Sequence, residues 1–110
     1  MKDHLVYLED ILESIRKIES YTRNLNTVAF VRDSGVQDAV MRRLAIIGEA
    51  VKHLSLDVRE RRPEIPWKDI AGMRDVLIHE YAGVHLERIW KTVQEDLPPL
   101  KKVVEEILKD

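Results

Sequence analysis

The sequence predicts an all-α domain, a bundle of four or five amphipathic helices. Apolar residues recur at three- and four-residue spacing along most of the chain, the period of a helix with one buried face. The stretches between these runs are short and rich in Asn, Asp, Ser, Gly and Pro. No alternating strand pattern, internal repeat or low-complexity segment competes with them. Helices with one apolar stripe each must bury those stripes against one another, and a bundle results.

The first helix is read from about Asp3 to about Arg23, because Leu5, Leu8, Ile11, Leu12, Ile15 and Ile18 fall on one face. Asn24, Asn26 and Thr27 interrupt the pattern, and Asp33-Ser34-Gly35 punctuates it again. Ser34 with Gln37 three places on resembles a capping box, so the second helix is expected to begin there. It continues through Val36, Val40, Leu44, Ile47, Val51 and Leu54. Gly48 lies inside this helix, where glycine costs about 1 kcal/mol relative to alanine, so close approach of another backbone is expected there. The charged segment Asp57 to Pro66, with Pro63 and Pro66, reads as the main loop, and Pro66 suits the first turn of a third helix. That helix carries Trp67, Ile70, Met73, Arg74, Val76, Leu77, Ile78 and Tyr81 and is expected to stop near Gly83. The last stretch places Leu86, Ile89, Trp90, Val93, Leu97, Leu100, Val104 and Ile107 in phase across Pro98 and Pro99, which predicts a kink or two consecutive helices sharing a face.

Composition narrows the function. The 110 residues fit a single domain over 1–110, small enough for a homodimer to be a natural way of covering apolar surface. Without cysteines, disulfides, thiolate metal sites and cysteine nucleophiles are excluded. No apolar stretch approaches the roughly 20 residues that span a bilayer, so no membrane association and a cytoplasmic location are expected. A net charge of -2 with 35% charged residues does not bind nucleic acid through bulk positive charge. RNA contact would need a local patch, and Arg42–Arg43, Arg59–Arg61–Arg62 and Lys101–Lys102 permit one. Trp67 and Trp90 read as core or groove-filling residues.

The four glycines are isolated, which excludes a phosphate-cradling P-loop. His79-Glu80 lacks the second histidine four residues on that a zinc-peptidase helix needs, so neither a metal nor a cofactor is expected. His4, His53 and His85 read as surface, structural or capping residues. His79 differs because Asp75 stands one turn before it, within reach of its imidazole, as an orienting carboxylate stands to a base. Arg74 and Tyr81, seven residues apart, share a face, whereas Arg74 and His79 are about 140° apart at roughly 100° per residue. One straight helix therefore does not converge all four groups; a distorted helix end or a second copy of the chain is required. Read from spacing alone, ordinary salt bridges at Arg74 and Asp75 and a packed histidine at 79 are the simpler account.

Three separated blocks carry more. Gln37-Asp38-Ala39-Val40-Met41-Arg42-Arg43-Leu44-Ala45-Ile46-Ile47-Gly48-Glu49-Ala50, then Pro63-Glu64-Ile65-Pro66-Trp67, then Gly72-Met73-Arg74-Asp75-Val76-Leu77-Ile78-His79-Glu80-Tyr81, resemble the HepT-like ribonucleases of the HEPN superfamily. The resemblance covers almost the whole chain, and Arg74 to Tyr81 matches the family pattern R-x4-H-x-Y. Asp75 stands where relatives often have asparagine. The resemblance implies a homodimer of helical protomers with the Arg and His motifs of both chains in one cleft. It also implies a toxin that cleaves RNA, often tRNA, and is encoded beside a minimal nucleotidyltransferase antitoxin that transfers AMP to the tyrosine, here Tyr81.

On this reading the reaction is metal-independent cleavage by the RNA 2′-hydroxyl, with His79 moving protons, Asp75 beside it and Arg74 neutralising the phosphorane. The alternative from another class is a non-catalytic module that binds a nucleotide or a partner nucleotidyltransferase. A plain dimeric scaffold is the blandest account.

Overall fold

The computed structural model describes residues 4–79 and 85–109, and of Val76, Ile78 and His79 the backbone alone. Among these residues every regular element is helical. Helix α1 (His4–Thr22) buries Leu8, Ile11, Leu12, Ile15 and Ile18 of the stripe read from the sequence, while Leu5 at its start stays 45% exposed. It ends where Asn24 takes a positive φ of 67°, a left-handed conformation that asparagine tolerates better than most residues.

The next element is a short helix inside a stretch that reads as an interruption. In α2 (Thr27–Val31) the Asn26 side chain accepts the Ala29 N–H at 2.9 Å, and Phe30 is driven fully into the core against Trp90, with ring centroids 5.1 Å apart. One buried aromatic is too little periodicity to announce a helix, which is why α2 escapes pattern reading.

Helix α3 (Ser34–Lys52) starts as expected, but its cap is one residue earlier than the capping-box reading. Asp33 accepts the Val36 N–H at 3.0 Å, while Gln37 reaches back to donate to the Phe30 and Val31 carbonyls at 2.8 and 2.9 Å. Gln37 thereby closes the carbonyl end of α2 rather than the amide end of α3. The segment expected to be a loop contains α4 (Leu56–Arg61), capped by Ser55 on the Val58 N–H. It buries no residue of its own, so no apolar period marks it.

Helix α5 (Trp67–His79) follows Pro66, whose carbonyl accepts the Ile70 N–H. Trp67 is buried and donates its indole N–H to the Arg62 carbonyl at 2.9 Å, a core role. Arg62 in turn donates to Glu64 and Glu106, holding the Glu64 carboxyl below the ordinary carboxylate range through the hydrogen bond. The expected helix stop near Gly83 lies outside the described residues.

The final run is α6 (Leu86–Lys91), a π-helical turn at Thr92–Asp96, and α7 (Leu97–Lys109). His85 caps α6 through its backbone carbonyl and makes no side-chain cap bond. The expected kink at Pro98 and Pro99 is resolved upstream of them: the Leu97 N–H bonds the Thr92 carbonyl, one residue further back than in an α-helix. The wider turn leaves room where the proline rings would otherwise meet the preceding carbonyls, and both prolines sit in the first turn of α7. Leu97, Leu100, Val103 and Val104 keep the buried phase.

In the bundle α3 packs against both α1 and α5, and α1 also packs against α7. No described helix is long and apolar enough to cross a membrane.

Asp96, in the π turn, has its carboxyl pushed up by burial and by the neighbouring charges of Glu95 and Asp69. A carboxyl raised in the folded state binds protons more tightly there than in the unfolded chain. Stability is therefore lost as pH rises from the ordinary carboxylate value, about 3.9, through the raised one. Asp96→Asn is expected to raise the thermal midpoint at pH 7, with the gain vanishing in acid. Melting curves of both proteins between pH 3 and pH 8 measure it; an equal midpoint difference at every pH would contradict this origin.

Candidate functional site

The middle of α5 is held unusually close to α3. A Cβ built on Gly48 would lie 2.9 Å from the Ile70 carbonyl oxygen, 3.1 Å from the Arg74 nitrogen and 3.2 Å from the Arg74 Cβ. The close approach expected from a glycine inside α3 is therefore present, and its partner is the stretch of α5 that carries Arg74. Helix α3 thus fixes the backbone from which the candidate residues project.

Arg74 leans back onto α3. Its Nε donates to Glu49 Oε2 at 2.9 Å, and its Nη1 lies 3.4 Å from Asp75 Oδ1. The Arg74 side chain is 36% exposed, so the guanidinium remains open to solvent while its direction is set from one side. Asp75 is also met by Lys52, whose ammonium donates to both carboxylate oxygens at 3.1 Å. Glu49, Lys52, Arg74 and Asp75 thus form an alternating charge cluster, two residues from each helix. A guanidinium presents five N–H donors in a plane, and bonds to Glu49 and Asp75 leave others to meet a phosphate. Because the pairs are half exposed, each contributes little to stability, and their arrangement matters mainly for what the cations can bind.

Asp75, expected beside His79, is here bonded to Lys52 and Arg74. His79 is the last residue of α5; its side chain, and residues 80–84 with Tyr81, lie outside the described residues. Among the described residues no three His, Asp or Glu side chains are grouped to hold a metal ion.

Glu49 and Lys52 were not singled out from the sequence. A usable signal existed: both follow within one turn or so of the glycine that announces the close approach, and they stand three residues apart, as neighbours on the surface of α3. The basic clusters that were noted are engaged in part elsewhere. Arg61 pairs with Asp57, Arg62 with Glu64 and Glu106, and Lys101 with Glu19.

A family model described as "Ribonuclease HepT-like" matches residues 11–107. The chain belongs to the HepT-like ribonuclease family. A Thermococcus cleftensis protein named "Probable ribonuclease HepT" is 48% identical over 108 residues, covering 98% of this chain and 98% of its own length. A Caldanaerobacter subterraneus protein named "Putative RNase" is 45% identical over 109 residues, covering 99% and 97%. A Methanocaldococcus jannaschii protein named "Gamma-glutamylcyclotransferase and putative RNase" is 50% identical over 108 residues; the match covers 98% of this chain but only 47% of that longer protein. Among solved structures none matches. The matched region contains both the α3 and the α5 members of the charge cluster, so the family relationship includes the candidate site.

Proposed function

We propose that the chain is an endoribonuclease that cleaves RNA without a metal ion. The RNA 2′-oxygen attacks the adjacent phosphorus, the bond to the 5′-oxygen breaks, and a 2′,3′-cyclic phosphate remains. The observation that carries this reading is Arg74 anchored on α3 by Glu49, within a HepT-like chain that keeps the R-x4-H spacing to His79. His79 removes the 2′-hydroxyl proton, since an imidazole of ordinary pKa about 6.5 exchanges protons readily at neutral pH. Arg74 neutralises charge growing on the phosphorane, and Lys52 adds a second cation beside it. Asp75, one turn before His79, favours the tautomer the base needs.

One histidine cannot be both base and acid in the same step. A homodimer with twofold symmetry supplies a second His79 to protonate the departing 5′-oxygen. In this reading the chain is a cytoplasmic toxin, silenced by a minimal nucleotidyltransferase that transfers AMP to the Tyr81 oxygen. The adduct brings bulk and negative charge to the cleft and competes with the RNA phosphate for Arg74.

The test is incubation of the purified chain with RNA in EDTA, followed by analysis of the ends. Cleavage leaving 2′,3′-cyclic phosphate is expected; loss of activity in EDTA that a divalent ion restores would overturn the metal-independent mechanism. Tyr81→Phe is expected to keep cleavage and resist the antitoxin when the two are co-expressed. Growth assay and intact mass read this out, and a Tyr81→Phe protein that still gains AMP and is still neutralised would exclude Tyr81 as the switch.

A further inference from the structure

His53, the residue that caps the end of α3, is stacked on Tyr7 of α1 with ring centroids 4.7 Å apart and planes 9° from parallel. Its Nε2 lies 3.3 Å from Glu49 Oε1. The other oxygen of the same carboxylate, Oε2, is the one that accepts the Arg74 Nε–H. A carboxylate can only accept, so the contact places a hydrogen on His53 Nε2. The chain of contacts runs from α1 through the end of α3 to α5: Tyr7, His53, Glu49, Arg74.

A glutamate on a helix surface has several rotamers of similar energy, and one half-exposed ion pair is a weak restraint on them. Contacts to both carboxylate oxygens, one from His53 and one from Arg74, restrict them further. Tyr7 contributes because a nearly parallel stack sets the plane of the imidazole, and with it the direction of the Nε2 hydrogen. Tyr7 itself is half-buried and packs against the core, which backs the stack.

We infer that His53, held by Tyr7, is a positioning residue that orients Arg74 through Glu49. Its consequence for catalysis rests on the ribonuclease reading of Arg74; the orientation itself does not.

The experiment therefore has two arms. In the first, the Arg74 Nε–H resonance is assigned by its loss in Arg74→Lys, and its exchange with solvent is measured by NMR. His53→Ala is expected to speed that exchange about tenfold or more, as loss of a fixed contact would. His53→Gln, whose side-chain amide can donate to the same oxygen, restores most of the protection. Tyr7→Leu, which removes the stack, is expected to speed the exchange toward that of His53→Ala. In the second arm a fluorescent mixed-sequence RNA oligonucleotide is the probe. His53→Ala lowers kcat about tenfold with KM little changed, since a misplaced cation costs chiefly in the transition state. Unchanged Arg74 exchange in folded His53→Ala overturns the proposal, and so does His53→Gln behaving like His53→Ala. Unchanged kcat in an otherwise active His53→Ala overturns it as well. Faster Arg74 exchange in a chain that cleaves no RNA in any form rejects the ribonuclease reading and leaves the positioning role standing.

Discussion

Replacing Arg74 or His79 by alanine is expected to lower RNA cleavage by about 10²–10⁴-fold each, the usual contribution of a general acid–base group and of a charge-stabilising donor. The helical fold should survive Arg74→Ala. Its guanidinium is partly open to solvent and, among the described residues, is bonded only to exposed or half-exposed carboxylates, Glu49 and Asp75. Glu49 keeps its contact with His53, and Asp75 keeps Lys52, so neither carboxylate is stranded. The loss is then chemical rather than structural. Arg74→Lys should fall between, because lysine retains the charge but not the planar fork that meets a carboxylate and a phosphate together. Initial rates on one RNA, with circular dichroism on every variant, decide the matter. Full activity in well-folded His79→Ala protein would remove His79 from the mechanism.

Gly48→Ala and Gly72→Ala are expected to act in opposite directions, although both put a methyl group on a helix. Alanine for glycine inside a helix gains about 1 kcal/mol from propensity alone. At Gly72 a Cβ would meet nothing within 4 Å, so that gain should appear nearly whole. At Gly48 the Cβ would sit 2.9 Å from the Ile70 carbonyl oxygen, a backbone atom that cannot move aside by changing rotamer. The helices must separate there, at an overpacking cost of about 1–3 kcal/mol that outweighs the gain. With roughly 4–8 °C per kcal/mol for a domain of this size, the two variants should melt several degrees apart, Gly48→Ala the lower. Because the clash is with the turn of α5 that carries Arg74, Gly48→Ala should also reduce cleavage, while Gly72→Ala serves as the matched control. A Gly48→Ala protein as stable as Gly72→Ala would show that the α3–α5 contact yields freely.

Much of the fold was legible before any coordinates, and for one reason: a helix that buries a face must repeat its apolar residues with the helical period. That is why α1, α3 and the long final run, with stripes such as Leu8-Ile11-Ile15-Ile18, could be read directly. The same logic failed for α2 and α4. Only Phe30 of α2 and no residue of α4 is buried, and a period cannot be recognised from one residue or none. The proline pair was legible as a disturbance, but not the π turn before it, since the four-residue steps Ile89-Val93-Leu97 that the wider turn accommodates also fit an ordinary helical pattern.

The candidate site divides along similar lines. Arg74, Asp75 and His79 are neighbours along one helix, so their spacing and the family resemblance could single them out from sequence alone. Gly48 could be read too, because a helix interior keeps so unfavourable a residue only where space is scarce. The identity of what approaches Gly48 was decided by tertiary structure, and so was the pairing of Arg74 with Glu49 and of Asp75 with Lys52. These contacts join residues more than twenty positions apart. Charged side chains on exposed faces have many potential partners and no period, and only the packing of α3 against α5 selects among them.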